Sequence, residues 1–145
     1  EDLDSESKYL VHKAKDAAQY AYAPYSKFHV GAALILENDI LVIGNNQENV
    51  AYPMCMCAER VALYTAASSH QGKKIKKMAV VAHKKNQKEL TAATPCGGCR
   101  QVMLEYETLQ NTPIQIVLLT KESKWTIFPS ASFLLPFSFN KENLI

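Results

Sequence analysis

Cys57, Cys96 and Cys99 offer three thiols, and Glu59 stands two residues after the first of them. A thiolate is a soft, negatively charged donor that suits zinc, and the Cys96-x-x-Cys99 spacing lets one turn of chain chelate an ion. Three protein ligands leave the fourth tetrahedral position open for water, as catalysis requires and a closed structural site does not allow. Glu59 is then placed as the base and acid beside that position rather than as a fourth ligand. A Cys-x-x-Cys pair alone would be weak, since redox sites and structural zinc knuckles share it. Pro95 directly before the pair and the Cys57-x-Glu59 element upstream make this combination specific.

The elements that must position these groups follow from the apolar pattern. A helix is expected from about Ser7, with Tyr9, Leu10, Ala14, Ala17, Ala18 and Ala21 on one stripe, ending at Ala23-Pro24. Residues 1–8 read as polar and frayed. His29 to Leu36 and Ile40 to Gly44 read as a hairpin about Glu37-Asn38-Asp39. The polar cluster from Asn45 to Asn49 reads by composition as a loop. Cys57 to about Ser69 is a run of helix formers stopped before Gly72, and Met78 to Ala82 is a short apolar strand buried on both faces. A second such helix spans roughly Cys96 to Glu107, with Pro95 at or near its first position.

Both ligand groups therefore fall at helix N-termini, where the dipole and free N–H groups favour thiolates. Arg60 and Arg100 follow the ligand segments and offset the charge of three thiolates around one zinc, Arg60 being the stronger candidate. Ile114 to Thr120 and Lys124 to Phe128 are strands joined by Lys121-Glu122-Ser123 alone, too short for a parallel crossover. A short helix through Leu135 follows Phe128-Pro129-Ser130. The expectation is one α/β domain over residues 1–145: a five-stranded mixed sheet, helices on both faces, last two strands antiparallel.

Composition narrows the function classes. Sixteen Lys and Arg against 14 Asp and Glu give a net charge of +2, too balanced for a nucleic-acid partner. The basic run Lys73 to Lys77 reads as solvated loop and strand edge. No apolar run reaches membrane-spanning length, and with three of four cysteines assigned to zinc a reducing, cytoplasmic compartment is expected.

The chain resembles the small, tetrameric type of cytidine deaminase from Tyr25 to Leu144. The resemblance is carried by Tyr25 to Ala33, Asn46-Gln47-Glu48-Asn49, Tyr52-Pro53, Cys57-Ala58-Glu59-Arg60, Pro95 to Gln101 and Leu134-Leu135-Pro136. A Cys or His, a Glu two residues on and a later Pro-Cys-x-x-Cys is the pattern of zinc-dependent base deaminases. The resemblance implies a three-layer fold, one zinc ion on Cys57, Cys96 and Cys99, and Glu59 as proton shuttle. It implies that Phe28 lines a nucleoside pocket, that Asn46 and Glu48 hydrogen-bond the ribose, and that backbone around Ala58 and Thr94 reads the pyrimidine edge. Arg60 would hydrogen-bond the ligand sulfurs, while Tyr52 and Phe139 would complete a neighbouring subunit's site in a homotetramer.

His29 departs from the family pattern, which commonly has proline there, and reads as a strand residue. Thr94 often appears as Ser, a change that a backbone role survives. Cys55 is an extra thiol; Glu59 sets the register to Cys57, and Cys55 reads as a small buried residue. Three rivals remain: a polynucleotide deaminase, a deaminase of a cytosine-bearing antibiotic of the blasticidin type, and a non-catalytic zinc module. Balanced charge argues against the first, the Asn46 and Glu48 pair against the second, and the lack of a clear fourth ligand against the third.

Overall fold

The computed structural model describes residues 3–145. Its five strands are β1 (Phe28–Leu36), β2 (Leu41–Asn45), β3 (Ile75–Lys84), β4 (Gln115–Thr120) and β5 (Lys124–Phe128), in the sheet order β2-β1-β3-β4-β5. β1 runs antiparallel to β2 and β3, β3 and β4 are parallel, and β4 and β5 are antiparallel. The parallel pair needs a long crossover, which the segment containing α3 (Gly97–Gln110) supplies. The last pair needs only the short link predicted from sequence.

Strand alternation sorts the core into two layers. Ala32, Leu34, Leu36, Met78, Val80 and Ile116 face α2 (Ala58–Ser69) and α3. Ala33, Ile35, Ala79, Val81 and Val117 face α1 (Ser5–Ala18) on the other side. Two glycines let the helices sit directly on the sheet. A Cβ on Gly31 would stand 2.0 Å from the Ala14 carbonyl oxygen, and one on Gly44 would stand 2.5 Å from that of Ala58. The second contact matters more for chemistry, because α2 carries Glu59 on its first turn.

Several boundaries differ from the sequence expectation. α1 starts at Ser5, two residues early, because the Asp4 carboxylate caps it by accepting from the Ser7 N–H at 2.7 Å. Fraying is thus wrong for residues 4–8, where Ser7 is fully buried; residues 1 and 2 lie outside the described residues. α1 also stops at Ala18, well before Pro24. There Asn45 Nδ2 donates to the Ala17 carbonyl, and the backbone of Tyr22 bonds with Asn46 and Glu48 instead of continuing a helix.

β3 is ten residues long rather than five, because β1 pairs with it over nearly its whole length. That pairing draws Lys77 into the interior at 6% exposure, correcting its reading as part of a solvated run. Its ammonium donates to Ser7 Oγ at 2.9 Å and lies 3.3 Å from Asp4. Pro95 precedes the α3 N-cap, Cys96, and so stands outside the helix. The short helix expected after Ser130 is a 3-10 turn, Ala131–Leu134, and a second 3-10 turn, Lys141–Leu144, follows in the polar end.

Candidate active site

Cys57 is the N-cap of α2 and Cys96 the N-cap of α3, so the two helices point their N-termini at one spot. The Sγ atoms of Cys57, Cys96 and Cys99 all lie within 4.8 Å of one another. Cys96 Sγ caps α3 by accepting from the Cys99 N–H at 3.5 Å. Arg60 Nη2 donates to Cys57 Sγ at 3.3 Å. Arg100 does not join it: its guanidinium donates to the Pro95 and Leu134 carbonyls at 2.8 and 3.0 Å, tying the C-terminal segment to α3.

Electrostatics make this set a cation site. A hydrogen bond from Cys99, reinforced by Arg60, holds the Cys57 thiol down to about 5 against the opposing effect of burial. Cys99 moves the other way, held up by its bond to Cys57 and by burial. Three convergent soft donors, one ionised near neutral pH at a helix N-terminus, fit one zinc ion per chain. Cys55 is not among them. It is half-buried rather than buried, and its Sγ accepts from the Asn49 N–H at 3.3 Å. A closed four-thiol site is therefore not what the chain builds.

Glu59 is 5% exposed, and burial, more than any neighbour, raises its pKa above the ordinary carboxylate value. It lines a cleft of about 520 Å³ beside Cys57. Phe28, Asn46, Glu48, Tyr52, Ala58, Arg60 and Thr94 line the same cleft, so seven other residues singled out in the sequence converge there. Phe139 does not line it. Its carbonyl accepts from Gln101 Nε2 at 2.8 Å near the start of α3, and its ring is 60% exposed.

Two of these side chains are partly engaged with the protein itself. Asn46 Oδ1 accepts from the Val30 N–H at 2.8 Å while its Nδ2 donates to the Phe28 carbonyl at 2.9 Å. Glu48 Oε1 accepts from the Tyr25 and Ser26 N–H groups at 3.0 and 3.1 Å, and Oε2 accepts from Ser26 Oγ. The Ser26 hydroxyl, ahead of those amides, holds the Glu48 carboxyl below its ordinary value. Paired backbone bonds between Gln47 and Met56 join this wall to the segment entering Cys57.

Sequence reasoning missed Met56, Val80 and Ala93 as cleft residues. Val80 had a usable signal, since alternation puts it on the face of Met78 that α2 and α3 cover. Met56 and Ala93 had only their closeness in sequence to Cys57 and Thr94.

Comparison with known proteins agrees with this geometry. Residues 4–114 match the family model described as the cytidine and deoxycytidylate deaminase zinc-binding region. A cytidine deaminase of Sporosarcina psychrophila is 39% identical over 93% of this chain and 92% of its own. The crystal structure of cytidine deaminase from Burkholderia pseudomallei superposes with a TM-score of 0.77 at 36% identity, covering 94% of this chain and 100% of that one. That of Mycobacterium tuberculosis gives 0.72 at 32% identity over 94% and 98%. The fold and the three-thiol site are those of a zinc-binding hydrolase acting on an amino-substituted ring. The chain belongs to the cytidine deaminase family.

Proposed function

We propose that the chain hydrolyses cytidine and deoxycytidine to uridine and deoxyuridine with release of ammonia, in pyrimidine salvage. The observation that carries this reading is Glu59: a buried carboxyl with a raised pKa, between the converging thiols and a nucleoside-sized cleft. Cys57, Cys96 and Cys99 would hold the zinc. Bound zinc supplies the acidity that makes water a nucleophile near neutral pH. Glu59 takes the proton from that water and delivers it to ring N3 as the C4–O bond forms. The same carboxylate then takes the remaining proton from the new C4 hydroxyl and gives it to the exocyclic amine, so that C4=O forms as the C4–N bond breaks to release ammonia. One group serves both transfers because a carboxyl whose pKa lies closer to the working pH both accepts and returns a proton readily.

The rest of the cleft orients the substrate. Phe28 packs on the nucleoside, and the backbone at Ala58 and Thr94 addresses the pyrimidine edge. Asn46 and Glu48 address the ribose hydroxyls: each Asn46 amide atom retains a second hydrogen-bonding position after its bond to β1. Arg60 moderates the charge of the ligand sulfurs. The working form is a cytoplasmic homotetramer of single-domain subunits, in which Tyr52 and Phe139 complete neighbouring sites. Their exposure of 70% and 60% and the fully exposed Phe137 support this, and no described helix is long and apolar enough to cross a membrane.

Zinc-loaded protein should be assayed on cytidine, deoxycytidine, deoxycytidine monophosphate, blasticidin S and a short single-stranded DNA in parallel. Glu59-dependent ammonia release from the free nucleosides alone is expected. Release from blasticidin S or DNA instead would overturn the ribose assignments, and release from none would mean the cleft serves binding. A fully active monomer in gel filtration would refute the shared site.

A further inference from the structure

One titratable group beside the cleft takes no part in this chemistry. His29 and His83 are direct partners across β1 and β3, with ring centroids 5.2 Å apart and planes 5° from parallel. Phe28 and Val30 line the cleft, and strand alternation places His29 between them on the opposite face. The Asn46 amide spans the same residue, bonding the Phe28 carbonyl on one side and the Val30 N–H on the other. His29 Nδ1 is buried with no hydrogen-bond partner among the described residues. A neutral imidazole leaves that nitrogen as a bare lone pair, whereas an imidazolium carries N–H on both nitrogens. The charged form would bury a donor with nothing to receive it, stacked on a second imidazole.

We propose that His29 is a positioning residue for the nucleoside wall: neutral and stacked on His83, it holds Phe28 to Val30 against Asn46, and its protonation releases that stretch and weakens substrate binding. The inference rests on the nucleoside deaminase reading, since the wall it controls is that of the substrate cleft. The titratable and charged groups around His29 are His83 on β3, Lys85 just beyond it, Lys27 in the turn before β1 and Glu48 beyond β2. α1 meets this face of β1 through Ala14 and Ala18. Burial, then His83 and Lys85, hold the His29 imidazole below its ordinary 6.5, with Glu48 opposing. The ring is thus neutral at pH 7.5 and charges only below that ordinary value.

The test measures KM and kcat for cytidine from pH 7.5 to 5.5 on zinc-loaded wild type and His29→Phe, with zinc content followed at each pH. Phe keeps a stacking ring and cannot charge. The wild-type KM should rise as the pH falls to 5.5, by up to about tenfold, the ceiling being set by one proton per site. In His29→Phe the KM should stay level while kcat follows the wild-type profile. A wild-type KM that does not rise, or one that rises equally in His29→Phe, overturns the proposal. An NMR titration of wild type tests the same proposal without turnover. The backbone amides of Phe28, Val30 and Asn46 should shift with the midpoint of the His29 ring, and amides that ignore it contradict the proposal. Failure to turn over cytidine at all would instead sink the function, leaving the NMR result to judge His29.

Discussion

The two ends of the cleft are built by different means. At the thiol end, Cys57 and Cys96 are N-caps, with Glu59 and Cys99 within the first turns that follow. Local backbone geometry places all four, and the tertiary structure has only to bring two helix ends together. At the nucleoside end, the wall joins Tyr22, Phe28, Asn46 and Met56 through bonds between segments far apart in sequence. Asn46 and Glu48 in this wall bind the chain as well as lining the cleft. The thiol end is local and the other end tertiary, so if the first reacts and the second recognises the nucleoside, as proposed, damage to each should show differently.

Breaking the local end should have the largest effect. Cys99→Ser removes one of three soft donors, so zinc content by atomic absorption and turnover should both fall to background; retained zinc at one per chain would contradict the ligand set. Gly44→Val comes next, because its side chain would press into the α2 backbone at 2.5 Å. About 3 kcal/mol of lost stability is expected, roughly 10 °C in Tm, with zinc bound more weakly. An unchanged melting curve would show that α2 does not depend on this contact.

The recognition end should fail more gently. Asn46→Ala strands the Val30 N–H and the Phe28 carbonyl, at about 1–3 kcal/mol, and should raise KM while leaving zinc content intact. A lower kcat with unchanged KM would place Asn46 with the thiol end instead. The smallest effect concerns Glu48, whose carboxyl is held below its ordinary 4.5, chiefly by Ser26. A depressed carboxyl contributes stability that is complete above the unfolded value and lost as pH falls through the folded one. The stability of wild type over Glu48→Gln should therefore be constant above about pH 5 and shrink below 4.5. A gap that widens on acidification would reverse the sign and refute the cause.

What was legible in the sequence follows the same division. The convergence of the three thiols, with Glu59 and Arg60 beside them on the first turn of α2, could be read because capping positions and helix spacing are short-range. The antiparallel last strand pair could be found because three linking residues permit nothing else. The end of α1 could not, since Asn45 and the Tyr22 pairing, rather than Pro24, terminate it. Lys77 looked like surface because its partners, Asp4 and Ser7, lie about seventy residues away in sequence. The cleft positions of Met56 and Ala93 likewise needed the assembled sheet. Family resemblance pointed to Asn46 and Glu48, but their bonds to β1 and the Tyr25-Ser26 turn became visible only in three dimensions.

The central claim is that Glu59 moves protons and does not hold the metal. Its most direct test is Glu59→Gln, with zinc per chain and cytidine turnover measured on the same preparation. Zinc should remain at one per chain while turnover falls about 10²- to 10⁴-fold, the usual contribution of a positioned proton carrier. Loss of zinc together with activity would make Glu59 a ligand, and normal turnover would remove it from the chemistry altogether.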